Sequence, residues 1–400
     1  MNKSETDYGF GVYIHFPYCR KRCPYCDFSV AVSQVIPHVK YADWVIDELS
    51  KKAHLFTGRK LRSIYLGGGT PSLWDVFQVQ RVLSKVRELF QLEGTFPLEI
   101  TLECDPKDIS LERLCAYRSI GISRISLGVQ SFNDKHLKVL GRLHDSSQAK
   151  NALYMMGEAG FTNWTADLMI GLPSQTLEEL FSDIETMISF NPPHISVYQL
   201  TIEPKTSFAA WVERGTLQMP PDDFQQEAYI VTQDKLRANG FMQYEISSYA
   251  RVGQNQFRSL HNQLYWQLGE YLGVGVSAHS FRLLPDGSAE RFWNPRSLRA
   301  YEKLQNQRPF LPLTGELEPL SLISAASELQ KDALWLGLRH LDGINHQVFE
   351  RRFGKKIYDV CPLLAKLCVD GFLSDDKKKI ALTSKGVLFA DWVALKIVEQ

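Results

Sequence analysis

The sequence contains no apolar run of 18 residues, no excess of either charge, and too few cysteines for a disulfide framework. The first absence excludes a hydrophobic membrane-spanning helix. Acids and bases balance at 45 each, so no global field draws the chain to nucleic acid or an anionic membrane. Seven cysteines, an odd number with three inside one octapeptide, fit a reducing compartment. The other four, Cys104, Cys115, Cys361 and Cys368, are expected to behave as small buried hydrophobes. Met1 to Gly9 also lacks the basic start, apolar core and small-residue cleavage site of a secretory signal, so a cytoplasmic, soluble protein is expected. What is present is 400 residues at 44% hydrophobic and 22% charged, enough for one large domain and a smaller one.

The densest chemistry is Cys19-Arg20-Lys21-Arg22-Cys23-Pro24-Tyr25-Cys26, directly after the apolar run Gly11-Val12-Tyr13-Ile14-His15-Phe16-Pro17. Three thiols in eight residues can close on one soft metal centre. Mononuclear zinc would want a fourth protein ligand and usually paired C-x2-C knuckles, whereas the spacing here is C-x3-C-x2-C with no second cluster nearby. An iron–sulfur cubane normally takes four thiolates. Three would leave one iron open to a ligand that is not protein.

Six short β-branched runs, at residues 12–16, 63–66, 98–103, 124–129, 165–170 and 194–200, are separated mostly by helical periodicity at 39–55, 76–90, 111–119, 147–159 and 177–189. Alternation of this kind implies parallel strands with right-handed crossovers, an α/β domain. Six units are too few for an eight-fold barrel, so pattern alone leaves an open doubly wound sheet and a partial barrel both standing. In either, ligand-binding groups are expected where strands end. The first strand runs into the cysteine loop; the second ends in Gly67-Gly68-Gly69-Thr70-Pro71, where glycines allow close backbone approach to a ligand; the next three end at or carry Glu103, Gln130 and Asp167. Arg142 follows the fourth strand and could pair with a carboxylate, either a side chain such as Glu103 or one carried by a ligand. Tyr13 and His15 share one face of the first strand, with a satisfied core role favoured for His15.

The cysteine spacing after a first strand resembles the radical S-adenosylmethionine (SAM) superfamily, and the segments together resemble its HemN/HemW branch, which holds anaerobic coproporphyrinogen III dehydrogenase and the haem chaperones. The resemblance implies a partial (β/α)6 TIM-like barrel with a [4Fe-4S] cluster on Cys19, Cys23 and Cys26. It implies SAM contacts from Tyr13, Tyr25, Gly68, Gly69, Thr70, Glu103, Gln130, Arg142 and Asp167. The dehydrogenase pattern has a further cysteine two residues after the third ligand, and here that position is Phe28; only 18 residues precede Cys19, where the dehydrogenase has a long arm. Cys26-Asp27-Phe28 matches the chaperone side of the branch. The expected function is therefore haem binding and transfer to acceptor proteins, membrane respiratory proteins among them, with oxidative decarboxylation of coproporphyrinogen as the alternative.

Further along, His261-Asn262-Gln263-Leu264-Tyr265-Trp266 has the form HNxxYW, which the resemblance associates with haem; His261 and Tyr265 are its candidate ligands, because His and Tyr both serve as axial ligands to haem iron. The rival reading is a hydrogen-bonded histidine and packed aromatics at the barrel edge. From about residue 311, helical patterns at 321–338, 348–353 and 360–370 precede a hairpin and a last helix, the outline of a small winged-helix-like α+β domain. The division expected is 1–240 barrel, 241–310 extension, 311–400 C-terminal domain. Lys377 to Lys379 could be a basic wing, but two aspartates precede them, so a solvated turn and no nucleic-acid partner are expected. A homodimer is compatible with everything above.

Overall fold

Six strands lie side by side in chain order, all parallel: β1 (Phe10–Phe16), β2 (Leu61–Gly68), β3 (Glu99–Cys104), β4 (Arg124–Gln130), β5 (Trp164–Ile170) and β6 (His194–Gln199). The computed structural model describes residues 9–91, 98–306 and 321–400. Each strand alternates strictly. Val12, Ile14 and Phe16, Ile64 and Leu66, Ile100 and Leu102, Ile125 and Leu127, Ala166 and Leu168, Ile195 and Val197 all enter one buried core beneath the crossover helices. The intervening residues are polar: Tyr13 and His15, Tyr65, Thr101 and Glu103, Ser126, Asp167, Ser196. The sheet therefore curls around a polar lumen, the partial barrel that the family resemblance implied.

The helices are α1 (His38–Lys52), α2 (Val76–Leu89), α3 (Leu111–Ser119), α4 (Asp134–Val139), α5 (Ser146–Glu158) and α6 (Leu177–Ser189). Their starts are written in the chain. Asp75, Ser110, Asp145 and Thr176 each accept a backbone N–H three residues on, and Gln148 and Glu179 return the bond, completing capping boxes on α5 and α6. Such caps fix where each strand hands over to its helix, and hence where the rim loops lie.

The stretch 203–260, which carried no assignment from sequence, supplies α7 (Ser207–Glu213), α8 (Asp222–Ala238), and β7 (Phe241–Gln243) and β8 (Ser248–Arg251), antiparallel additions beyond β6. Short α9 (Leu260–Trp266) then crosses beneath the lumen, and β9 (Glu270–Val274) runs parallel to β1 on its outer side, a seventh parallel strand that the sequence reading did not separate. β10 (His279–Leu283), β11 (Ala289–Trp293) and β12 (Ser321–Ser324) extend that edge, giving a 12-stranded sheet, and α10 (Leu298–Asn306) follows β11.

Residues 321–338 are not one helix. Ser321–Ser324 pairs with β11, and α11 (Ala326–Arg339) begins only where the Glu328 carboxylate accepts the Ala325 N–H at 3.0 Å. The remaining elements, α12 (His346–Phe353) through the last helix Ala390–Val398, surround a three-stranded antiparallel sheet of Ile344–Asn345, Lys379–Leu382 and Leu373–Asp375, with a core of its own. The expected start of this part near residue 311 lies outside the described residues. Among the described residues no helix is long and apolar enough to cross a membrane. Cys104 and Cys361 are buried as expected, Cys368 is half-buried, but Cys115 is exposed because α3 turns it away from the sheet.

Candidate cluster and cofactor site

The cysteine loop is tied to the rim by backbone bonds rather than by chance packing. The Gly69 N–H donates to the Phe16 carbonyl at 2.7 Å, Thr70 N–H to Tyr18 at 3.0 Å, and Phe208 N–H, from α7, to Pro24 at 3.0 Å. His15 fastens the far side: its Nε2 donates to the Ser29 carbonyl at 2.9 Å while Nδ1 accepts from the Tyr13 hydroxyl at 3.1 Å. Both ring nitrogens are satisfied, the core role favoured from sequence.

The glycines of the turn also serve the packing of the loop. A Cβ on Gly68, whose φ is +116°, would stand 2.6 Å from the His15 ring, and one on Gly69 would stand 2.8 Å from the Pro17 carbonyl. The close approach they permit is that of the cysteine loop to β2.

The three cysteines open onto a pocket of about 360 Å³ that is also lined by Tyr25, Gly68, Gly69, Thr70, Glu103, Gln130, Arg142 and Asp167. Eight of the nine SAM candidates are thus brought together. Tyr13 is the exception: it lies deeper, on a neighbouring groove. Gln130 stands at φ +69°, a left-handed conformation uncommon for glutamine, after an irregularity that breaks the β4–β5 register. Residues held in this way cluster at ligand sites. The reading of Arg142 against Glu103 is corrected: its Nη2 donates to Asp105 Oδ2 at 2.7 Å and to the Gly128 carbonyl at 2.9 Å. Glu103 is held elsewhere, by the Tyr65 hydroxyl at 2.7 Å and the Gly68 N–H at 3.1 Å. Asp105, Ser126, Met169 and Tyr198 also line the pocket and were missed. The Asp105-Pro106 pair, directly after a strand end, was the one available signal for the first of them.

The electrostatics separate the acids. Burial works to raise the Asp105 carboxyl, but Arg142 and His144 outweigh it and bring it down to about 2. With side chains only 12% and 18% exposed, the Arg142–Asp105 pair is one whose breaking would leave an uncompensated charge, at about 3–5 kcal/mol. Asp167 is pushed the other way, to about 7, by burial and by the charge of Glu103. Burial also raises Glu103. Asp167 Oδ1 and Arg142 Nε are buried without a hydrogen-bond partner among the described residues. One pocket thus presents an unsatisfied acceptor and an unsatisfied cationic donor, a complement to a zwitterionic ligand.

The donor set fits a [4Fe-4S] cluster. The Thr70 hydroxyl donates to Cys19 Sγ at 3.3 Å, and Arg142 Nη1 lies 3.9 Å from Cys23 Sγ. Burial and the neighbouring thiols push Cys19 up to about 11, so holding all three as thiolates calls for a cation among them. A single zinc ion would draw all three thiolates and a fourth protein ligand onto one centre. A cubane instead takes each thiolate on a separate iron.

The HNxxYW helix lies across the opposite end of the lumen, with the Tyr265 side chain reaching the groove that Phe28 borders. Glu99 accepts the N–H groups of Leu260 and His261, each at 3.1 Å, seating α9 across the barrel floor. His261 Nδ1 bonds Ser63 Oγ and Nε2 bonds the Tyr265 hydroxyl, both at 2.8 Å, and its ring stacks on Tyr65 with centroids 5.1 Å apart. Burial drives its pKa down to about 3. The guanidinium of Arg339 covers Trp266 at 5.0 Å. In this arrangement neither nitrogen of His261 is open to iron.

Fold and rim define the class. Residues 13–187 match the Radical SAM superfamily model, and residues 327–389 match the HemN C-terminal domain. The structure superposes on Escherichia coli coproporphyrinogen III oxidase, HemN, described as a radical SAM enzyme, with a TM-score of 0.78 over 98% of this chain and 90% of that one, at 23% identity. The chain is 40% identical over 295 residues to the heme chaperone HemW of Haemophilus influenzae, covering 72% of this chain and 75% of that protein. It is 31% identical over 382 residues to the heme chaperone HemW of Bacillus subtilis, covering 95% and 97%. The chain belongs to the HemW family.

Proposed function

We propose that this chain is a haem chaperone: it carries a [4Fe-4S] cluster on Cys19, Cys23 and Cys26, SAM in the rim pocket, and haem that it passes to acceptor proteins. The observation that carries this is Phe28. Where the dehydrogenase pattern has a further cysteine, this chain, 40% identical to a protein named a heme chaperone, places a phenyl ring that is 67% exposed at the pocket edge.

When bound, the cluster and SAM supply one-electron chemistry at a carbon–sulfur bond. The chain's own part is positioning. Arg142 Nε and Asp167 Oδ1 offer opposite-charge partners to the ends of an amino acid, Gln130 and the Gly68-Gly69-Thr70 turn shape the wall, Tyr25 closes the cluster side, and Tyr13 steadies the cysteine loop by holding His15. The division into 1–240, 241–310 and 311–400 places these roles in the first segment, the α9 motif in the second and possession of a separate core in the third, which is supported by the self-contained apolar cluster from Leu334 to Ile397. The acceptors would be haem-requiring proteins, those of membrane respiration included, and a cytoplasmic homodimer is the form we propose for the carrier.

The test is anaerobic. Cluster-reconstituted, haem-loaded protein is mixed with a haem-free acceptor, and separately with coproporphyrinogen III, SAM and reductant. Haem is expected to move to the acceptor and no decarboxylated product to form. Decarboxylated porphyrinogen over many turnovers would make the chain an oxidase without the extra cysteine.

A further inference from the structure

Beside the rim pocket, and sharing Phe28 with it, lies a second groove of about 320 Å³ lined by Tyr13, His15, Tyr265, Tyr271, His279 and Arg296, among others. Four features set it apart. Its walls are aromatic: Tyr265 and Tyr271 meet edge to face at 4.7 Å, and Phe28 stands exposed at its mouth. It contains an exposed imidazole, His279, stacked on Trp293 at 5.8 Å with 21° between the planes, so the ring is held by its face and its nitrogens make no hydrogen bond among the described residues. It contains an exposed guanidinium, Arg296, engaged among the described residues by the Asp27 carbonyl at 3.3 Å and the Asp27 carboxylate at 3.7 Å, itself exposed. And its volume is at the low end of the roughly 300–1,000 Å³ usual for ligand pockets, so a large flat ligand would enter edge-on and keep part of itself outside.

Resting on the chaperone reading above, we infer that this groove is the haem seat: His279 is the axial ligand, Arg296 receives a propionate, and His261 acts as a positioning residue that holds Tyr265 in the groove wall. The chemistry requires each part. Iron needs an unprotonated, sterically open imidazole nitrogen. His261 spends both of its nitrogens on Ser63 and Tyr265, whereas His279 spends neither. Burial and the nearby Arg296 charge lower the His279 pKa, which keeps the ring in its ligating form. A carboxylate-bearing edge suits a guanidinium that has only a solvent-exposed competitor. A half-open seat suits a carrier that must release its cargo. The shared wall at Phe28 places the porphyrin next to the cluster loop, so cluster loading would shape one side of the seat.

The experiment titrates ferric haem into cluster-loaded full-length protein, reading affinity by difference absorption and the axial ligand by low-temperature EPR. His279→Ala is expected to weaken binding more than about tenfold, to abolish the histidine signature, and to regain that signature on addition of imidazole; its iron and sulfide content should match the parent, which shows that it has folded. Arg296→Ala is expected to weaken haem several-fold with the ligand signature unchanged, and to have no effect on haem dimethyl ester, which lacks the propionate charges. His261→Gln is expected to keep the histidine signature. If His279→Ala keeps both affinity and signature while His261→Gln loses them, the assignment is overturned and the ligand is in α9. If the parent protein takes up no haem at all, it is the chaperone reading that fails.

Discussion

The two ends of the barrel use polar residues in opposite ways. At the floor, Glu99 receives two helix N–H groups, His194 bridges Thr165 and Tyr244 at 2.8 and 2.9 Å, and His261 bridges Ser63 and Tyr265. These three side chains are engaged by other parts of the same chain, although Arg124 Nη2 and Trp266 Nε1 are buried there without a hydrogen-bond partner among the described residues. At the rim, Asp167 and Arg142 each keep a buried atom without a partner, Gln130 is held in a left-handed conformation, and three thiols face a pocket. At the floor the bonds fasten α9 to the strands, whereas at the rim the unpartnered atoms and the thiols line an open pocket. The comparison also explains why HNxxYW, written like a ligand set, reads in three dimensions as a fastening.

The sharpest way to break the comparison is to remove what the rim is for. Cys19→Ala, Cys23→Ala and Cys26→Ala together should abolish iron and sulfide binding, since these thiols are the proposed cluster ligands, while leaving far-UV circular dichroism unchanged. Loss of the fold along with the cluster would mean that the rim is as structural as the floor.

The floor should answer in stability. His261→Ala removes two buried hydrogen bonds and a stacked ring, and leaves Ser63 and Tyr265 facing a cavity. A cost of about 2–4 kcal/mol is expected in denaturant unfolding. His261 also carries a pH signature. Its folded pKa, near 3, lies below the unfolded 6.5, so the unfolded state binds more protons between those values and stability falls as pH drops through that window. His261→Gln should flatten this acid limb by up to about 1.4 kcal/mol per pH unit.

Asp167 at the rim should show the opposite sign. Its folded pKa, near 7, lies above the unfolded 3.8, so the folded state binds the extra proton and stability falls as pH rises from about 4 to 7. Asp167→Asn should remove that decline in cluster-free protein, making the variant the more stable of the two at pH 8 by about 1–4 kcal/mol. Equal pH profiles for variant and parent would mean that Asp167 is paired after all and that the rim is fastened as the floor is.

Much of this was legible in the chain. The six strands and their crossover helices follow from outward apolar residues at period two and from caps such as Asp145 and Thr176, which are local signals. The cysteine loop and the rim residues followed from strand ends. What sequence did not give is pairing across distance: that Arg142 takes Asp105 and not Glu103, that Gly68 yields to His15, and that residues 270–274 run parallel to β1. Residues 321–324 fooled the periodicity because they pair with β11, a partner distant in sequence. His279, part of the run Gly273 to Ser280, drew no role from the sequence for the same reason. Its openness is a matter of what does not bond to it, which no spacing records.

The smallest effect belongs to the C-terminal hairpin, which tests whether charge alone makes a site. Asp375 accepts the Lys377 N–H at 2.7 Å, and Asp376 accepts those of Lys378 and Lys379 at 2.9 and 2.8 Å. The turn is therefore shaped by its aspartates, with the lysine side chains left to solvent. Replacing the three lysines with glutamine should change stability by less than about 0.5 kcal/mol. It should also leave retention on a DNA column at 150 mM salt unchanged, since three exposed charges balanced by two aspartates release few counterions. A marked loss of retention would instead show a basic wing at work, and would make the C-terminal domain a surface that takes a partner.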